Sequence, residues 1–350
     1  MSADVWAEID LDAYRSNLRR VRSVVAPASV MTVVKNDAYG HGLQRIVNVA
    51  VAEGVRFVGV LDPSVGVDLR RSGLADDVRL FAWLFGPEED YAEAIRCAVE
   101  LGVSSEHQLD RILASASEGR PRIHAKIDTG LGRAGARPEE WPALVDAIER
   151  AADDGLVEFA GVWTHIAEAS DEDDTVSIRA FERAIARISA ERRPGLVRHL
   201  AASAASVTRS DSRFDLVRVG AFGYGIAPGD GVTPSSLGLI PVLSLRARVV
   251  DVDAGRGILA LGVADGLPAT ARMTAAVDGR RVALDVGLVE SSVAADGVRV
   301  GDVVTVIGRE ERGEPTLQEW ADATGTIGEE IAVRLSPRIE RRVLGADIPA

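Results

Sequence analysis

Of the 40 basic residues in this chain, 38 are arginine and only two, Lys35 and Lys126, are lysine. Arginine can replace lysine at most solvated positions, but not where a neutral amine must act as a nucleophile or form a Schiff base. The two lysines are therefore the first candidates for chemistry. Lys35 heads the run Asn36-Asp37-Ala38-Tyr39-Gly40-His41-Gly42, which sets a phenol four residues after an amine. A solvated lysine, with a pKa of about 10.4, is a poor nucleophile at neutral pH, but partial burial in a cation-rich site removes its proton and lets it form an imine. Lys126 lies in His124-Ala125-Lys126-Ile127-Asp128-Thr129-Gly130-Leu131-Gly132-Arg133-Ala134-Gly135, where nearby glycines allow close backbone approach to a ligand beside Arg133. Further polar residues close apolar runs: His165 after Thr164, Ser203 after His199, and Arg218 before Gly220. Taken singly, each has an ordinary role: a solvated charge, a core histidine, a helix cap or a structural ion pair. Together they offer one imine-forming amine and several donors suited to a phenolate and a phosphate.

These residues need elements to position them. Apolar, β-branched runs alternate with amphipathic Ala- and Arg-rich stretches. The expected strands are Ser29 to Val34, Phe57 to Leu61, Val78 to Trp83, Ile95 to Val99, Ile123 to Ile127, Phe159 to Thr164, Val197 to Ala201 and Leu216 to Gly220. Helical patterns such as Leu43 to Glu53 and Thr175 to Ala190 fall between them, with the acidic run Asp171 to Asp174 as a solvated helix start. Eight βα units in about 220 residues suit a closed parallel (β/α)₈ (TIM) barrel, whose reactive groups sit at the carboxyl ends of its strands. An open doubly wound sheet usually carries a Gly-rich phosphate fingerprint after its first strand, and neither GxGxxG nor GxxxxGK[ST] follows Ser29 to Val34.

After Pro228-Gly229-Asp230-Gly231 the texture changes to short strands, Leu239 to Asp253, Gly257 to Val263, Thr274 to Val286 and Val303 to Ile307, separated by Asp-Gly and Ala-Gly turns. The expected organisation is a barrel over 1–230 and a smaller, mostly β domain over 231–350. Within the second, Asp278-Gly279 predicts a tight hairpin between Ala275 and Val282, and Thr316 with Glu319 forms a capping-box pattern ahead of a helix to Ala323.

Composition bounds the function. The chain has 350 residues, 47% of them apolar, and 53 acidic against 40 basic residues give a formal charge of −13. Such a surface gives nucleic acid or an anionic membrane little reason to adhere. The single cysteine, Cys97, forms no internal disulfide and no cysteine metal cluster. With no secretory leader at the start and no apolar run of the roughly 18 to 20 residues a membrane helix needs, a cytoplasmic location and no metal are expected.

Val33-Val34-Lys35-Asn36-Asp37-Ala38-Tyr39-Gly40-His41-Gly42 resembles the pyridoxal-phosphate lysine motif of alanine racemases. The runs His124 to Gly135, Thr164-His165, His199 to Ala205, Val217-Arg218-Val219-Gly220 and Tyr224-Gly225-Ile226-Ala227-Pro228 resemble that family in the same order. The resemblance implies a cofactor-bearing barrel, a C-terminal β domain and a head-to-tail homodimer whose sites are completed by the partner. It also implies that Lys35 holds pyridoxal 5'-phosphate as an aldimine, while Tyr39, Ser203 and the backbone at Gly220 bind the phosphate and Tyr224 belongs to the same cofactor site. Arg133 would face the phenolate, and Lys126 matches a position that is carbamylated in some relatives. His165 would lie beside the pyridine ring and hydrogen-bond Arg218, whose guanidinium would contact the ring nitrogen and leave it unprotonated.

The chain departs from that pattern toward its C-terminus. The family's second acid/base is a tyrosine from the partner's C-terminal domain, but the four tyrosines here are Tyr14, Tyr39, Tyr91 and Tyr224. Val252 to Ile258 runs through where the missing segment would lie, Val263 replaces a family tyrosine, Leu284 to Ser291 lacks the substrate-lining stretch, and Pro337 stands where some relatives have a phosphate-binding tyrosine. Three functions stay open: an amino-acid racemase, most directly of alanine, with another group or water as second base; a one-base pyridoxal-phosphate reaction on a different amino acid; and a weakly active or inactive cofactor-binding homologue.

Overall fold

The computed structural model describes residues 4–86, 89, 91–117, 119–168, 170–269, 273–294 and 296–345. Its strands are β1 (Val5–Asp10), β2 (Ser29–Val33), β3 (Phe57–Val60), β4 (Arg79–Ala82), β5 (Val99–Val103), β6 (Arg122–Lys126), β7 (Glu158–Trp163), β8 (Val197–His199) and β9 (Leu216–Val219), followed by β10 (Leu243–Asp253), β11 (Arg256–Leu259), β12 (Met273–Val277), β13 (Arg280–Val286), β14 (Ser291–Ala294), β15 (Val303–Ile307) and β16 (Glu340–Leu344). The chain folds as two units. One comprises residues 22–35 and 54–220, the other residues 4–21, 36–53 and 221–345.

The first unit is the parallel barrel expected from the spacing. Its strands pair in the order β8-β7-β6-β5-β4-β3-β2-β9. Two further bonds bring the ends of that order together: Asp215 N–H donates to the Arg198 carbonyl at 3.1 Å, and Arg218 N–H to the Ala201 carbonyl at 3.0 Å. Both faces of such strands are covered, so they read as near-continuous apolar runs. Met31, Phe81, Trp163 and Leu216 pack inside, against Phe57, Trp83 and Val197. The fourth strand is a correction. Ile95 belongs to the helix Ala92–Arg96, and the strand is Val99–Val103, with Glu100 pointing into a buried setting. A charge in the middle of an otherwise apolar strand hides it from pattern reading, because the pattern assumes that buried positions are apolar.

The second unit is an eight-stranded sheet in the order β11-β14-β13-β12-β15-β10-β1-β16, with β10 also pairing β11. The Asp278-Gly279 hairpin is present in the expected register, Ala275 opposite Val282. The Thr316/Glu319 capping box is also present: Glu319 N–H donates to Thr316 Oγ1 at 3.1 Å, and Thr316 N–H to Glu319 Oε2 at 2.7 Å. This sheet draws on the start of the chain as well as its end, since β1 runs antiparallel to β10 and parallel to β16. A boundary at 230/231 therefore does not follow the sheets. β1 buries Val5, Trp6, Ala7 and Ile9, and in a sheet such a strand gains backbone partners on both edges.

Candidate active site

Lys35, Lys126, Arg133, His165, Ser203, Arg218 and Gly220 all fall in the barrel unit; Arg218 lies within β9 and each of the others ends or follows a strand. Lys35 comes two residues after β2 and is half-buried. Lys126 ends β6 and is buried, with its ammonium 4.4 Å from the centroid of the Trp163 ring. Burial, then the charges of Arg218 and Arg133, lowers its pKa to about 8 against the opposing pull of Asp128.

The loop that carries Arg133 is fixed by local bonds. Asp128 Oδ1 accepts from the backbone N–H of Gly130 at 3.0 Å and of Gly132 at 3.1 Å. Gly135 has φ +127°, and a side chain there would meet the backbone of Ile127 and Asp128, so glycine is required for the loop to return. Thr129 Oγ1 lies 3.0 Å from Thr164 Oγ1 and 2.7 Å from Ser177 Oγ, a buried hydroxyl cluster tying this loop to the end of β7. Arg133 itself is exposed.

Arg218, on β9, is 5% exposed and spends its donors on defined acceptors. Nη2 donates to the Leu200 carbonyl at 2.9 Å and to His165 Nδ1 at 3.0 Å, and Nη1 faces His199 Nδ1 at 3.3 Å. Its guanidinium also sits 5.2 Å from the Trp163 ring centroid. Burial lowers its pKa to about 9, with Glu168 opposing and Arg133 adding to the shift. For His165, burial followed by the charges of Arg218, Arg133, Lys126 and Lys35 lowers the pKa to about 2, so the ring is neutral. Because Arg218 only donates, His165 Nδ1 must accept, and the ring proton is on Nε2. Ser203 opens the helix Ser203–Thr208, and its Oγ accepts from Gly220 N–H at 3.0 Å, a buried pair.

Tyr39 and Tyr224 fall in the second unit, packed on one another with ring centroids 4.8 Å apart. Tyr14 and His41 flank Tyr224 at 5.4 and 4.7 Å. Burial raises both the Tyr39 and the Tyr224 phenol well above the ordinary value, which keeps them neutral donors. Asn36, Asp37, Ala38 and Tyr39 all have φ between 53° and 55°, a left-handed turn that side chains with a Cβ rarely adopt. It is held by Asp37 Oδ1, which accepts from Leu43 N–H at 2.7 Å, and by His41 Nδ1, 3.0 and 2.9 Å from the Ala38 and Tyr39 carbonyls. Local strain maintained by dedicated bonds marks a segment shaped for a purpose.

The sequence reading missed the residues behind Arg218. Glu100, His124 and His199 are buried in the barrel and linked by hydrogen bonds. Their signals were a lone acid within an apolar strand and histidines at strand positions.

Two family models cover most of the chain: "Alanine racemase, N-terminal domain" over residues 9–228 and "Alanine racemase, C-terminal domain" over 246–343. An alanine racemase of Beutenbergia cavernae is 35% identical over 377 aligned positions, covering 99% of each chain, and one of Thermobifida fusca is 36% identical over 378, covering 99% of this chain and all of the relative. Both alignments are longer than this 350-residue chain, so the relatives carry segments that it lacks. Among solved structures, the alanine racemase of D-cycloserine-producing Streptomyces lavendulae superposes with a TM-score of 0.91 at 34% identity, over 99% of this chain and 98% of that one. The barrel, the strand-end lysine and the Arg218–His165 pair thus occur in a chain matched along nearly its whole length by one family's models, sequences and structures. It belongs to the alanine racemase family.

Proposed function

We propose that this protein is a pyridoxal 5'-phosphate-dependent racemase of alanine, loaded at Lys35 and working as a cytoplasmic homodimer. The observation that carries the reading is the cluster around His165: four cationic side chains, Lys35, Lys126, Arg133 and Arg218, act on one neutral imidazole. Such a set suits a ligand with an anionic phosphate and a phenolate, and Ser203 adds a hydroxyl whose oxygen is held by the Gly220 N–H. The donor set therefore fits the cofactor, with Lys35 as its covalent anchor, Arg133 toward the phenolate and Arg218 toward the ring nitrogen. In support of the other terms, no helix among the described residues is long and apolar enough to cross a membrane, and the β unit exposes Leu288, Val289 and Val300.

Pyridoxal phosphate, when bound, stabilises the electron pair left on a substrate α-carbon after a proton is removed. The chain's own groups decide where that proton goes. Lys35, freed as an amine, takes or returns it on one face. Arg218 has only donors, so it would leave a cofactor ring nitrogen held against it unprotonated, and the weaker electron sink that results would favour return of the proton over side reactions. A second reading, exchange on one face with retained configuration, is favoured by a single observation: residues 225–350 contain no tyrosine. Incubation of the reconstituted enzyme with L-alanine in deuterium oxide separates the two. D-alanine formed with α-deuterium supports racemisation, deuterated L-alanine alone supports the one-face reaction, and neither product overturns both.

Lys126 yields a further prediction. Only an unprotonated amine adds carbon dioxide, and a pKa of about 8 leaves roughly one tenth of this amine neutral at pH 7. Protein equilibrated with ¹³C-bicarbonate is expected to show a carbamate carbon signal that grows as pH rises toward 8 and is missing in Lys126→Ala. An unlabelled wild-type protein across that range would rule the adduct out.

A further inference from the structure

Behind Arg218 the barrel interior holds an unbroken chain of polar side chains. His199 Nδ1 lies 3.3 Å from Arg218 Nη1, His199 Nε2 lies 2.9 Å from His124 Nδ1, and His124 Nε2 lies 2.7 Å from Glu100 Oε2. Glu100, His124 and His199 are each no more than 1% exposed. At the far end Arg79 donates to both Glu100 oxygens, Nε to Oε1 at 2.5 Å and Nη2 to Oε2 at 2.7 Å, and Arg122 Nη1 approaches Oε1 at 3.3 Å. Aromatic rings enclose the chain: Trp163 stacks on His199 within 5° of parallel, and Phe81 lies against both histidines. Gly161 leaves the space, because a methyl group there would collide with His124 Nδ1 and the Val197 carbonyl.

The two ends of this chain allow one proton arrangement. A guanidinium only donates, so His199 Nδ1 must accept and its proton is on Nε2; that N–H donates to His124 Nδ1, leaving the His124 proton on Nε2, directed at Glu100. A carboxylate only accepts, so the same arrangement follows from the Glu100 end. Burial, with the Glu100 carboxylate opposing it at His124, lowers the pKa of both histidines, so the rings are neutral. Hydrogen bonding from His124 and Arg79 overcomes the effect of burial at Glu100 and holds its pKa at about 2, so it is ionised.

We propose that Glu100 is a positioning residue for Arg218, acting through His124 and His199 fixed as Nε2–H tautomers. The carboxylate polarises two neutral imidazoles in series, so the nitrogen presented to Arg218 is a strengthened acceptor. One edge of the guanidinium is thereby held to the barrel interior and its position set. The effect on the reaction rests on the reading that Arg218 faces the cofactor ring; the tautomers do not.

The first test needs neither cofactor nor mutation. With five histidines in the chain, ¹⁵N-histidine labelling resolves the ring nitrogens of the ligand-free protein. His124 and His199 are expected to show a protonated Nε2 and a bare Nδ1 at neutral pH, and a proton on Nδ1 of either ring, or on both nitrogens, overturns the proposal. The second test is His124→Asn, whose amide oxygen can still accept from His199 while the link to Glu100 is cut. Loss of a supporting partner of this kind is expected to lower kcat about tenfold with KM for alanine within about twofold, and to shift the absorption band of the bound cofactor. A merely structural role would lower Tm and leave both kcat per occupied site and the band unchanged, which overturns the proposal. Wild-type protein that borohydride does not label at Lys35 overturns the cofactor reading instead, while the tautomers still decide the relay.

Discussion

Lys35→Ala is expected to abolish the long-wavelength absorption of the reconstituted protein, to leave no borohydride-stable adduct, and to lower alanine turnover by about 10⁴, the upper range for a positioned acid/base. The effect is large because the proposed function gives one amine two tasks, anchoring the cofactor and moving a proton on one face. The chain's lysine content makes the result easy to read. Only Lys35 and Lys126 carry side-chain amines, so peptide mapping after reduction has two internal candidates. Lys126 is buried against Trp163. Lys35→Arg serves as the companion variant, since it keeps the positive charge around His165 but offers no nucleophilic amine. A wild-type band in either variant, or label recovered on Lys126, would move the chemistry away from Lys35.

Glu100→Ala is expected to destabilise the barrel by about 3 to 5 kcal/mol, the cost typical of removing one partner from a buried ionic group. The truncation leaves Arg79, Arg122 and the His124 N–H facing an uncompensated space. The pH dependence has a definite sign. The Glu100 pKa is lowered from 4.5 to about 2 in the folded protein, so its stabilisation is complete above pH 4.5 and is lost as pH falls from there toward 2. Urea unfolding of wild type and variant should therefore show a constant gap between pH 5 and 8 that narrows below pH 4.5. A gap under 1 kcal/mol at pH 7 would mean that the charges at this site are solvated, contrary to their burial.

How much of this was readable in advance depended on the range of the forces involved. Patterns repeated within a few residues were legible. The Asp278-Gly279 hairpin follows from a turn that needs positive φ, and Asp278 and Gly279 have φ 47° and 73°. The Thr316/Glu319 cap follows from reciprocal bonds across three residues. Seven of the eight barrel strands were visible as apolar β-branched runs. The fourth was displaced because Glu100 interrupts it, and Glu100 is tolerated there only because Arg79, Arg122 and His124 reach it from neighbouring strands.

By itself the sequence determined the barrel, the amine at the end of its first strand and the family to which the motifs point, because each rests on residue types at short, fixed spacings. Only the tertiary structure decided that β1 joins the β10–β16 sheet, that His199 also faces Arg218, and which nitrogen of each buried histidine carries its proton. Those depend on contacts between residues such as Glu100, His124, His199 and Arg218, which β5, β6, β8 and β9 bring within 3.3 Å of their neighbours. Chain closure across tens of residues leaves no local pattern. Its consequences are written in which donors and acceptors end up buried together, since buried polar groups must be paired.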